Sequence, residues 1–332
     1  DFGRNNLYRN DPGKEPGTRR FLDVAEPAGV VDVGPGMSAA WGDHNHDGHP
    51  DLFVPNDAME NFFFRNGGDG RFEEMALMTN VAFGMNGEAR GAMGAEVGDV
   101  NSDNLVDLFV PDFTYTCLYI NLGDGFFEDQ ARQAGIAALC DKHVSWGAAL
   151  ADLDLDADLD LYVSNGDANH LIPHANLLFS NDGKGLFTEV SEAAGLAGQK
   201  HGVSRGVVAG DIDNDGDLDL LVAQLNDSPL LLRNDTRREQ NHWLMLQLVG
   251  TPGKSNLDAI GARVRCKLPD RENVLIRYRS SSGSYMSVHD PRIHLGLGTV
   301  DRIPELEIRW PDGALQTLRD VAVDRVLTVT QE

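Results

Sequence analysis

Short apolar runs alternate with turns rich in glycine, asparagine and aspartate along the first two thirds of the chain, and the runs recur in a fixed order. A small-residue segment comes first, as in Ser38-Ala-Ala-Trp41-Gly42 and Gly206-Val-Val-Ala-Gly210. An acidic loop follows, and a hydrophobic run leaves it: Leu52-Phe-Val54, Leu108-Phe-Val110, Leu161-Tyr-Val163 and Leu220-Leu-Val222. A third run ends in asparagine (Asn66, Asn121, Asn181, Asn234), and a fourth opens with phenylalanine and an acid soon after, at Phe72-Glu-Glu74, Phe127-Glu-Asp129 and Phe187-Thr-Glu189. Runs this short between such turns predict strands. Helical periodicity is nearly absent, with room for a helical turn only at 129–138 and 190–196.

Four strands per unit of 50 to 60 residues predict blades of a β-propeller, since the coils of a linear β-solenoid are much shorter. After Asn234 the texture changes. Alternating segments at 244–248, 263–267, 274–278, 306–310 and 326–329 predict a second all-β unit of sandwich or barrel-like form. The expected organisation is therefore all-β, with a propeller over residues 1–240 and a β domain over 241–332. Residues Asn6-Leu-Tyr-Arg-Asn10 and Phe21-Leu-Asp23 read as third and fourth strands with no partners ahead of them, so the propeller is expected to lack N-terminal blades.

The acidic loops carry the chemistry. Nine residues long, they offer oxygen side chains at positions one, three, five and nine: Asp43, Asn45, Asp47 and Asp51; Asp99, Asn101, Asp103 and Asp107; Asp152, Asp154, Asp156 and Asp160; Asp211, Asp213, Asp215 and Asp219. Calcium takes six to eight hard oxygens at about 2.3–2.6 Å, and the position-seven carbonyl (His49, Leu105, Asp158, Asp217) adds one more. Position six must turn sharply, which Gly48 and Gly216 allow, Asn104 tolerates, and Ala157 does at a cost of about 1 kcal/mol. The loops begin 56, 53 and 59 residues apart, a regularity that marks them as one repeated device. About four Ca²⁺ sites are expected, with loops one and two weaker because amides replace carboxylates at position three.

These loops and their flanking strands resemble the FG-GAP or VCBS repeats of integrin α-subunit propellers and many secreted bacterial proteins, which implies calcium held between two strands of a blade. The tail, with Ala259-Ile-Gly-Ala-Arg263-Val264, Ser282-Gly-Ser-Tyr285-Met-Ser287, His294-Leu-Gly-Leu-Gly298 and Arg309-Trp310-Pro311-Asp312-Gly313, resembles the ASPIC/UnbV module of the cartilage acidic protein family and its bacterial relatives.

Charge agrees with a metal role. The chain carries 52 acidic and 28 basic residues, a net charge of −24, and the four loops hold sixteen of its aspartates, so the acidity is in good part a metal-binding feature. Such a surface disfavours nucleic acid. Calcium sites with no switching element fit an extracellular, cell-surface or periplasmic setting, where calcium is abundant. Cys117, Cys140 and Cys266 form no disulfide framework and are read as buried thiols. No apolar run reaches the length of a membrane span.

The expected function is a calcium-stabilised binding or assembly scaffold with a protein or glycan partner outside the cell, and possible membership of a larger assembly. The alternative is a lyase-type enzyme acting on a sugar or small anion where His143, His201 and Arg205 gather at a channel mouth. His44, His46 and His49 lie at non-ligand positions of loop one and are expected to point outward. No catalytic residue and no nucleotide-binding motif is assigned.

Overall fold

The structure, a computed structural model, describes residues 3–13, 18–31, 33–85, 87–123, 125–196, 202–236, 240–269, 271 and 274–332. It is all-β, apart from single-turn helices such as Ala76–Thr79 and Ala137–Cys140. The first sheet runs Ala40–Gly42, Asp51–Val54, Phe62–Asn66, Phe72–Glu74, each strand antiparallel to the one before. The second repeats this with Glu96–Gly98, Asp107–Val110, Cys117–Asn121 and Phe127–Asp129. In the third, Ser145–Ala151, Asp160–Asp167, Leu177–Asn181 and Phe187–Glu189 keep the order, while the fourth has, among the described residues, three strands, Val203–Gly210, Asp219–Leu225 and Leu230–Leu232. Tyr8–Pro12 and Arg19–Asp23 pair as a two-stranded sheet.

Sheets stack face to face, which explains why the second strands read as unbroken apolar runs. Side chains alternate across a strand, so each neighbour pair serves two cores. Phe53 and Leu108 meet between sheets one and two, whereas Phe109 and Leu161 meet between sheets two and three, and Tyr162 and Leu220 between three and four. The first strands lie side by side along an inner edge, from Ala40–Gly42 through Glu96–Gly98 and Ser145–Ala151 to Val203–Gly210.

The third-strand asparagines tie one unit to the next. The Asn181 side chain donates to its own loop at Leu159 O (3.0 Å) and back to the preceding loop at Val100 O (2.8 Å). Asn121 does the same to Val106 O and His44 O, and Asn234 to Leu218 O and Leu153 O. Replacing Asn181 with alanine strands two buried carbonyls, and should lower the free energy of unfolding by about 2–3 kcal/mol in a urea titration.

The C-terminal part builds two sheets around one core that includes Leu246, Val264, Leu295, Leu306 and Trp310. In one, Trp243–Val249 pairs antiparallel with Ile293–Gly296 and parallel with Arg325–Thr330. In the other the order is Val274–Tyr278, Arg263–Lys267, Arg302–Arg309, Leu315–Ala322. Its seam with the repeats is continuous: Ala157 of loop three enters the C-terminal core, and Trp243 and Met245 enter the core between sheets three and four.

Candidate metal centres

All four loops adopt one backbone. Positions four and six both have positive φ: His46 and Gly48 (60° and 92°), Ser102 and Asn104 (60° and 72°), Leu155 and Ala157 (64° and 79°), Asn214 and Gly216 (59° and 100°). The position-six demand was readable from Gly48 and Gly216, but the position-four demand has no consistent residue type behind it. The hydrogen bonds repeat as well. The position-six N–H donates to the position-one carboxylate in every loop, at 2.8–3.1 Å. The position-seven N–H likewise donates to position five at 2.7–3.1 Å.

Position nine has two structural bonds in every loop. Asp160, for example, accepts from Leu153 N (3.0 Å) and from Asn181 N (3.1 Å), and Asp51, Asp107 and Asp219 accept from the matching pairs. These aspartates hold the loop to the third strand whether or not they also bind a cation.

The oxygens converge. Ligand atoms of Asp152, Asp154 and Asp156 lie within 4.8 Å of one another, and so do those of Asp211, Asp213 and Asp215. Oxygens about 2.4 Å from a shared centre cannot lie much further apart than that. Asp43 Oδ1 and Asp152 Oδ1 are buried with no hydrogen-bond partner, which leaves an acceptor for a cation at position one. Burial pushes the Asp99 and Asp156 carboxyls up to about 6, and burial together with the Asp154 charge pushes Asp160 up to about 8. A hard, oxygen-only donor set of this kind fits calcium better than a transition metal. In loops one and two the position-three amides donate instead to position five, Asn45 to Asp47 at 2.8 Å and Asn101 to Asp103 at 3.0 Å.

The loop face is also where the C-terminal part docks, which sequence reasoning missed. Loop three has its carbonyls at positions three to six bound by Asn241 Nδ2, Gly298 N, Arg271 Nη2 and Arg277 Nη2 respectively. That support offsets the left-handed strain at Ala157. Arg271 also clamps the Asp158 carboxylate, so the position-seven side chain, expected to matter only through its carbonyl, has a partner of its own. At loop four, Arg292 donates to Asp211 O and Asn214 Oδ1, both at 2.8 Å. Burial pushes His294 down to about 4, so its neutral ring donates to Gly216 O at 2.9 Å. A Cβ on Gly216 would sit 2.0 Å from the Trp243 ring, a second reason for glycine there.

The segment between Tyr278 and Ile293 runs along the inner edge of the sheets. Ser282 Oγ accepts from Trp41 N, Ser284 Oγ from Val207 N, and His289 Nδ1 from Ala209 N. Because Nδ1 accepts, the ring proton sits on Nε2 and is given to the buried Glu96 carboxylate at 3.0 Å. Side chains on Gly147 and Gly206 would collide with Ser284 and Ser287, which is why the inner strands are built of small residues.

One expectation changes. His44 does not point outward: it is 1% exposed, packed against Phe63 and Phe127 between sheets one and two. Position two of a loop enters the gap to the next sheet, where Val100 and Leu153 also sit buried. Both His44 ring nitrogens lack a hydrogen-bond partner, so His44→Leu should raise stability by about 1 kcal/mol in a calcium-loaded urea melt. Of the residues expected at the channel mouth, the structure describes His143 and Arg205. His143 stacks near His174, while Arg205 lies 3.7 Å over Trp146, whose ring also meets Tyr285 of the inner-edge segment. His201 lies outside the described residues. Cys117, Cys140 and Cys266 are buried thiols, as expected.

Tandem acidic loops of one geometry, each set between two strands of an antiparallel sheet and tied to its neighbour, define a repeat protein built on acidic loops. The FG-GAP-like repeat matches residues 43–110, 99–163 and 166–222, and the domain described as ASPIC and UnbV matches 250–332. The chain belongs to the family of FG-GAP-like repeat proteins carrying an ASPIC and UnbV domain. It is 26% identical to cartilage acidic protein 1 of Mus musculus and of Homo sapiens over its whole length, and spans about half the length of those relatives (50% and 49%). Among solved structures, the Agrocybe aegerita lectin that recognises non-reducing terminal N-acetylglucosamine aligns with a TM-score of 0.37 at 19% identity, over 59% of this chain and 48% of that one. The V. cholerae biofilm matrix protein Bap1 aligns with a TM-score of 0.38 at 10% identity, over 90% of this chain and 51% of that one. Among the described residues no helix is long and apolar enough to cross a membrane.

Proposed function

We propose that the chain is a calcium-stabilised scaffold that works outside the cytosol, binding a protein or glycan partner, with propeller blades over residues 1–240 and a β domain over 241–332. Calcium would be held by the position-one, -three, -five and -nine side chains of the four loops and the position-seven carbonyls. One observation carries the reading: the C-terminal part grips loops three and four by backbone carbonyls that take up those positions only when the loops are folded. An ion that folds the loops thereby also builds the surface on which the second part sits. Its role is structural, because binding to the folded state alone raises stability by mass action. The names of the relatives, cartilage acidic proteins, agree with an extracellular setting. Thermal melts with and without a chelator test the calcium reading, and a calcium-replete pull-down from the exterior fraction tests the partner. A pull-down returning no protein or glycan above a chelated control would sink the scaffold role.

A further inference from the structure

Loop one meets the C-terminal part differently from loops three and four, and the difference leaves a cavity. About 270 Å³ in volume, it is lined by Trp41 and Asp43 on the repeat side and by Arg263, Arg279, Arg309 and Trp310 on the other. In this chain of net charge −24, three arginines share one cavity, and none forms an ion pair with a described carboxylate. Arg279 donates to a backbone carbonyl, that of Ser280. Arg263 Nε is buried with no hydrogen-bond partner.

The register sharpens this. Arg263 and Arg309 stand directly opposite each other in neighbouring antiparallel strands. Like charges in that relation destabilise a sheet. Two residues along the same face the chain solves the problem in the ordinary way, with Arg265 opposite Glu307 at 3.6 Å. At the cavity the one lining carboxylate, Asp43, pairs with none of the three arginines and belongs to loop one's own oxygen set, so the missing partner charge is one that a ligand can bring. Arginine forks suit carboxylate and sulfate oxygens, which they bind in pairs of parallel hydrogen bonds. The walls add a second requirement. Trp41 offers flat apolar surface, while Ser281 offers a hydroxyl among the lining residues. A sugar ring has the matching surfaces, one face of C–H groups and an edge of hydroxyls, and the volume is close to the lower end of ligand sites at about 300 Å³.

We propose that this cavity binds an acidic saccharide unit, a single sugar ring bearing a carboxylate or a sulfate, with Arg263 and Arg309 on the oxyanion and Trp41 on the ring. The proposal rests on the scaffold reading only in taking a glycan as partner. Titration calorimetry on the calcium-loaded protein, with glucuronate and glucose 6-sulfate set against glucose and inorganic sulfate, tests it. The expected result is that one of the acidic sugars binds at least roughly tenfold tighter than both controls, and that Arg309→Gln and Arg263→Gln each weaken it by a similar factor. Whichever acidic sugar binds identifies the oxyanion. Affinity for glucose equal to that for the acidic sugars would overturn the proposal, as would equal affinity for inorganic sulfate, or binding unchanged in both variants. Folding is checked separately, because relief of the arginine pair should let ligand-free Arg309→Gln melt no lower than the parent. A clearly lower melt would show that the pair is not strained and would remove the reason for the ligand. A chelator melt that contradicted the calcium reading would leave this titration standing, so the two fail independently.

Discussion

EDTA should lower the melting temperature of the calcium-loaded protein by at least about 10 °C. A site held at a hundredfold excess over its dissociation constant contributes about 2.7 kcal/mol, and the four loops together approach about 10 kcal/mol. Chains of this size shift by roughly 2 °C per kcal/mol or a little less. The gap between loaded and chelated melts should also narrow as the pH falls from 8 to 5. The sign follows from the carboxyls that burial raises, Asp99 and Asp156 to about 6 and Asp160 to about 8. Without metal, the folded state binds protons that the unfolded chain, with carboxyls near 4, does not, so chelated stability rises on acidification through that window. The same protons compete with calcium. An identical melt with and without EDTA at pH 8 would end the calcium reading.

Arg277→Met should cost about 3 kcal/mol in chelated protein and distinctly less in calcium-loaded protein, read by urea titration under both conditions. Arg277 reaches between loops two and three, donates to Ala157 O at 3.2 Å and sets its charge against the position-one aspartates Asp152 and Asp99. Without metal its charge faces those two carboxylates, so removing it leaves buried negative charge poorly compensated. With calcium bound the carboxylates have another partner, and the loss is mainly that of one hydrogen bond. Equal losses under the two conditions would show that Arg277 matters only for packing.

What could be read in the sequence divides along a physical line. The repeats were legible because each element has its own local signal: alternation for the strands, glycine or asparagine for the turn, and oxygen residues at fixed intervals for the loop. Strands 263–267 and 274–278 were placed to the residue for the same reason. Leu315–Ala322 was missed because half of its residues face water and only one is buried, which leaves no apolar rhythm. Ile293–Gly296 was hidden inside a glycine-rich stretch. The seam was illegible in a deeper sense. The loop carbonyls that Arg271, Arg277 and Arg292 bond lie 81 or more residues away, and nothing local marks a cation that will bond a loop carbonyl. Glu96 had the same disguise, as one acid in a strand of small residues. For His44 the rule itself misled, since loop position two looks like a solvent position until the next sheet is stacked on it.

The asparagine ties also bear on how such a chain can change over time. Each grips the preceding loop at the carbonyl of position two, a backbone atom that every residue type supplies. The tie itself sets no demand on the side chain at that position, which only the packing of the next sheet constrains: histidine, valine, leucine and isoleucine occupy it in the four loops. The asparagine has no such freedom, because its amide donates in two directions at once while its own N–H holds the position-nine carboxylate. Variation is thereby steered into one residue of the joint and kept out of the other.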